Sequence, residues 1–145
     1  MRARDWVSAI YDTEEILGLY WRWPFVDMAD MIATWDAIKA SPAWLEYAGE
    51  GPWPLEFHRE HRWRVDTGIR RIRGTWVFDV GVGMACGGTL LHEVGHIPGW
   101  RRSKPHGDGF LRLWLALWKQ EARTITWNAI VEQLRKGGVP VEEFV

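Results

Sequence analysis

Apolar residues recur at helical spacing in several stretches of the chain. Trp6, Ile10, Leu17 and Trp21 mark one face of a helix expected near residues 4 to 20. Met28, Ile32, Trp35 and Ile38 mark a second, stopped by Ser41-Pro42. Phe110, Trp114, Leu117 and Trp118 mark another, and Trp127, Ile130, Val131 and Leu134 a last one, ended by Gly137-Gly138. In the middle of the chain the period shortens to an imperfect apolar–polar alternation. It runs from Trp53 to His58, Arg62 to Thr67 and Ile69 to Val80, with breaks at Gly51, Pro54, Gly68 and Gly74. That pattern predicts two or three short antiparallel strands. Leu90, Val94 and Ile97 then fall at i, i+4 and i+7 ahead of Pro98-Gly99, which predicts a further helix. Gly83, Gly87 and Gly88 leave its start undefined. Helices on either side of a strand region give an α+β domain, with helices packed on a small three-stranded sheet.

Composition narrows the class. A chain of 145 residues, 47% hydrophobic and 26% charged, reads as one globular domain over residues 1–145. The formal net charge of −1 supplies no global field toward nucleic acid or an anionic membrane. Cys86 is the single cysteine, which excludes an internal disulfide and suits a small buried hydrophobe. Met1-Arg2-Ala3-Arg4-Asp5 leads into a charged amphipathic segment rather than an apolar one, so no signal peptide or membrane span is expected, and the cytoplasm is the expected compartment. Twelve tryptophans stand out. Half lie in the stripes, where packing explains them; Trp53, Trp63, Trp76 and Trp100 are among those outside, and Trp76 and Trp100 are candidates for substrate contact. Arg59, Arg62, Arg64, Arg70, Arg71 and Arg73, with Arg101, Arg102 and Lys104, form either a solvated hairpin or a basic rim for phosphate or an acidic ligand. His58 and His61 read as surface residues of that hairpin.

The chemistry concentrates in His92-Glu93-Val94-Gly95-His96, an H-E-x-x-H signature, with His106 ten residues beyond the second histidine. On a helix, positions i and i+4 share a face, so His92 and His96 can direct imidazole nitrogens at one zinc ion. Glu93 lies roughly 100° around the helix, placed as a general base for water rather than as a ligand. Three histidines and one open position describe catalytic rather than structural zinc. The segment Gly99 to Pro105 reads as a loop returning His106 to the site, and Asp108 reads as the N-cap of the helix that follows, or as a partner of the third ligand. The metzincin variant fails, because Gly99 matches its glycine but Arg102 stands at its third ligand.

The run His92-Glu93-x-x-His96, Trp100, His106-Gly107-x-x-Phe110 resembles the active-site region of SprT-like (Spartan-type) zinc metalloproteases. It is also similar to the small metallohydrolases of actinobacteria and their phages that carry HExxH and His-Gly-x-x-Phe elements. Tyr11-Asp12-Thr13-Glu14 is similar to a Tyr-x-x-Glu segment on their first helix. The core of the likeness spans residues 90 to 110. It implies a minimal zincin-like domain with an HExxH active-site helix, zinc on His92, His96 and His106, Glu93 as base, and a protein or peptide substrate cleaved at an amide bond. In zincin-type enzymes a strand near the metal helix pairs with extended substrate; Thr75 to Val80 is the candidate strand here. The zinc ribbon that bacterial SprT proteins often add is missing from a chain with one cysteine, which weakens a DNA-repair role. Two other readings stand beside this one. A repressor-cleaving gluzincin would take Glu121 as third ligand, and a zinc-stabilised tryptophan-rich binding module would not be an enzyme at all.

Overall fold

The computed structural model describes residues 4–59, 67–80, 86–102 and 104–145. Trp63, and the expected strand from Arg62 as far as residue 66, lie outside them. Helices α1 (Val7–Leu17), α2 (Met28–Ala40) and α3 (Pro42–Tyr47) precede strands β1 (Leu55–Arg59), β2 (Gly68–Ile72) and β3 (Thr75–Val80). Helices α4 (Gly87–Gly95), α5 (Asp108–Glu121) and α6 (Thr124–Lys136) follow, with 3₁₀ turns at Leu19–Trp21 and Val141–Glu143. The architecture is therefore α+β, six helices and a three-stranded sheet among the described residues.

The sheet is mixed, in the order β1-β3-β2. β1 runs parallel to β3, from Leu55 opposite Trp76 to Arg59 opposite Val80. β2 and β3 form an antiparallel hairpin. Its two turn residues, Arg73 (φ 50°) and Gly74 (φ 81°), take the left-handed conformations of a primed turn that matches strand twist. The all-antiparallel expectation is corrected here, because the chain crosses from one edge of the sheet to the other before it makes its hairpin. Thr75–Val80 is the central strand, buried from Trp76 to Val80 and hydrogen-bonded on both sides, so it has no free edge for a substrate. Among the described residues β2 has a strand on one side only.

The core lies between the helices and this sheet. Trp44, Trp114 and Trp118 are fully buried in it, with Ile10, Leu90 and Phe78. α1 packs on α6, α3 and α4 pack on α5, and α4 also packs on the turn Leu19–Trp21. The helix expected near residues 4 to 20 ends earlier, where Gly18 adopts φ 62° and closes the last turn through its N–H. Trp21 therefore leaves the stripe and is exposed. In α2 the buried face is Met31, Trp35 and Ile38, with Ile32 turned to solvent. Ser41-Pro42 ends α2 and also starts α3: Ser41 Oγ accepts from the Trp44 amide and Pro42 occupies the first helical position. Gly88 lets α4 approach the Leu19–Trp21 turn, since a Cβ there would collide with the Leu19 carbonyl. No helix among the described residues is long and apolar enough to cross a membrane.

Candidate metal centre

α4 carries His92 and Glu93 within its regular turns. His96 is its C-cap residue, still right-handed at φ −76°, ψ −19°. The end tightens, with the His96 amide on the Glu93 carbonyl at 3.1 Å and the Ile97 amide on the Val94 carbonyl at 3.0 Å. Leu90, Val94 and Ile97 face the core, leaving the imidazoles on the other side. Gly95 has a specific reason: a Cβ there would lie 2.8 Å from Phe110 Cε2. The Phe110 ring uses that space, stacking on His96 at 4.6 Å and lying 5.1 Å from His92 and 4.9 Å from His106. One aromatic ring thus backs all three histidines.

His106 reaches the site because its loop is tied to the start of the chain. The Trp6 amide donates to the His106 carbonyl at 2.8 Å. Asp108 accepts from the Trp6 indole at 2.8 Å and forms an ion pair with Arg4 at 2.7 Å. Gly107, not Asp108, is the N-cap of α5, with no side-chain cap bond. The N-cap expectation for Asp108 is corrected accordingly, since its carboxylate is drawn to the stronger charge-assisted donors.

The ligating atoms of His92, His96 and His106 lie within 4.8 Å of one another, close enough to hold a metal ion. His92 Nε2 and His106 Nε2 face each other at 3.2 Å. The outer nitrogen of His92 has a carboxylate partner. Glu14 of α1 meets His92 Nδ1 at 2.6 Å, with both side chains almost fully buried. The Pro105 carbonyl bonds the ring of His96, and the Asp5 carboxylate acts on His106. Carboxylate and carbonyl partners of this kind fix ring orientation and raise ligand basicity. Tyr20 and Trp114 surround Glu14 and draw its pKa down, against burial, which pushes it up to about 8. Glu14 Oε1 and Trp114 Nε1 are both buried without a hydrogen bond. Burial lowers the histidines to about 4, 3 and 4 for His92, His96 and His106, so all three are neutral, as ligands must be.

Glu93 is half-buried. Burial and the nearby Glu14 carboxyl push its pKa up to about 8, and the Ile69 backbone of β2 bonds it and pulls the other way. Two carboxyls and three neutral imidazoles meet in a desolvated space, and a divalent cation there would offset the burial of both acids. The donor set therefore fits a metal ion. Tyr11 packs over two of the histidines, its ring stacked on His92 at 5.5 Å and 5.1 Å from His106, with burial and Glu93 raising its hydroxyl pKa.

Other sequence candidates lie elsewhere. Trp100 borders a cavity of about 220 Å³ that His96 and Phe110 also line. Trp76 is only 4% exposed and supports Trp100 edge-on at 5.2 Å rather than facing the histidines. Glu121 is exposed at the end of α5 and lines a separate cavity with Trp23 and Asp30. His58 bonds Glu56, and Arg70 pairs with Asp79 at 2.6 Å. The roles of Glu14, Phe110 and Tyr11 toward the histidines escaped sequence reasoning. The available signals were the Tyr-x-x-Glu and His-Gly-x-x-Phe segments that hold Tyr11, Glu14 and Phe110, and an acid at position 14 inside the apolar face formed by Ile10 and Leu17. No protein-family profile, curated protein or solved structure matches this chain.

Proposed function

We propose that this domain is a zinc-dependent metallopeptidase of minimal zincin-like form, with α4 as its HExxH active-site helix and a protein or peptide as substrate. The observation that carries the reading is the convergence of His92, His96 and His106 beside Glu93, with Glu14 on the back of His92. The resemblance to SprT-like proteases points the same way. Zinc bound there would act as a Lewis acid toward the substrate carbonyl and lower the pKa of water. Glu93 takes the proton of the attacking water and returns it to the leaving amine. Without metal, burial and Glu14 hold Glu93 at a pKa of about 8; a cation bound beside it would favour the ionised carboxylate that a base needs. Tyr11 packs against His92 and His106, and its hydroxyl could donate to a carbonyl oxygen gaining charge. The outer edge of β2, beside Glu93, offers main-chain groups to an extended substrate.

The test is turnover of an unfolded protein by wild type and by Glu93→Gln. The variant should retain its metal and lose at least about 100-fold in kcat; full activity would remove Glu93 from its role. The repressor-cleaving alternative through Glu121 loses ground, because Glu121 opens to a different cavity. A zinc-stabilised binding module draws support from the way Glu14, His92 and His106 tie α1, α4 and the α5 entry together. In that case Glu93→Gln would be silent while metal removal would unfold the domain.

A further inference from the structure

The loop after α4 builds a second feature beside the histidines. Gly95, His96, Trp100 and Phe110 line the 220 Å³ cavity together with Arg101 and Lys104. Trp100 also borders a neighbouring cavity of about 360 Å³, shared with Trp53, Trp76, Arg71 and Arg102. There the Arg71 guanidinium lies over the Trp76 ring at 5.2 Å. Across the two cavities, Arg71, Arg101, Arg102 and Lys104 face a single carboxylate, Glu50. Among the described residues, Arg101, Arg102 and Lys104 have no ion-pair partner. The chain as a whole carries a formal charge of −1, so this cationic face is a local arrangement. Trp53 (φ 39°) and Arg101 (φ 58°) hold left-handed backbone conformations, which non-glycine residues adopt at a cost and which cluster at ligand-facing positions.

We propose that this face selects acidic polypeptide. An aspartate or glutamate side chain enters the cavity beside His96 under Arg101 and Lys104, and a second acidic residue lies over Trp100 toward Arg71 and Arg102. This assignment rests on the metallopeptidase reading for why a peptide lies there, although binding itself needs no turnover. A peptide is favoured over nucleic acid for two reasons. The cavity beside His96 has side-chain dimensions, and the edge of β2 next to Glu93, which carries no strand among the described residues, could pair with main chain, which a phosphate backbone does not offer.

The experiment is fluorescence anisotropy of rhodamine-labelled octaglutamate, octalysine and a ten-residue thymidine strand on the Glu93→Gln protein. Arg101→Glu/Lys104→Glu in that background is the comparison, with circular dichroism and metal content as controls. Octaglutamate should bind at least about tenfold more tightly than octalysine, weaken with salt, and lose that preference in the charge-reversed protein. Equal binding of the two peptides, an unchanged preference after charge reversal, or tighter binding of the thymidine strand would each overturn the proposal. Should wild type cleave nothing while octaglutamate still binds selectively, the hydrolase reading alone fails. Should it cleave with no acidic preference in a mixed peptide pool, the acidic pocket alone fails.

Discussion

Glu14→Gln separates two consequences of the buried carboxyl that an ordinary core substitution would not. The amide keeps the size of the side chain and an oxygen acceptor for His92 Nδ1, 2.6 Å away, but removes the charge. With metal bound, an uncharged partner polarises the imidazole less, so affinity should fall 10–100-fold, about 1.4–2.7 kcal/mol. Without metal the sign reverses. Burial raises Glu14 from 4.5 to about 8, so its stabilising share is complete below the unfolded value and is lost as pH rises toward 8. At neutral pH that loss has a ceiling of roughly 3 kcal/mol, part of it returned by the bond to His92. Gln does not titrate and escapes it. Metal-free Glu14→Gln should therefore unfold at higher urea concentration than metal-free wild type at pH 7, and the two should converge near pH 4.5. Competition with a chromogenic chelator reads the affinity, and urea titration in chelator reads the stability. Unchanged affinity, or a metal-free variant less stable than wild type at pH 7, would refute the reasoning.

Gly95→Ala gains about 1 kcal/mol of helix propensity but forces a methyl to 2.8 Å from Phe110, an overpacking that costs about 1–3 kcal/mol. A net loss of up to about 2 kcal/mol, partly restored by Phe110→Leu in the double variant, should appear in thermal unfolding; no rescue would contradict the contact. Metal binding at pH 7 should release between one and two protons, from Glu14 and Glu93, and fewer as pH passes 8. Calorimetry in buffers of different ionisation enthalpy checks this, and zero release at pH 7 would contradict it. Arg4 and the Trp6 indole lower the Asp108 pKa, so its contribution is present above the unfolded value and is lost as pH falls. Asp108→Asn should speed hydrogen exchange of the Trp6 amide, which donates to the His106 carbonyl, and unchanged exchange would contradict the tether.

The parts legible in the sequence were those set by local periodicity. Phe110, Trp114, Leu117 and Trp118, and the stripe Leu90, Val94, Ile97, are buried because 3.6-residue spacing leaves a helix face little choice. The spacing of His92 and His96 is local in the same sense. What escaped is set by packing partners distant in sequence. Parallel pairing of β1 with β3 joins residues about twenty apart, and alternation alone carries no information on strand order. Ser41-Pro42 is both a stop and a start signal, so α3 was hidden behind the end of α2. Asp108 occupies a good capping position, but Arg4, 104 residues away in sequence, outcompetes the cap. Glu14 is legible as the acid of the Tyr-x-x-Glu segment and as an acid on an apolar face, but its partner His92 lies 78 residues on.

The most direct test of the central claim is metal content per chain, measured by mass spectrometry on protein purified without added metal, for wild type and for His106→Ala. One zinc per chain is expected in wild type, lost or sharply weakened in the variant, because three neutral imidazoles converge on one point. Wild type that takes up no metal even when zinc is supplied, or His106→Ala that holds it as tightly, would contradict the three-histidine centre.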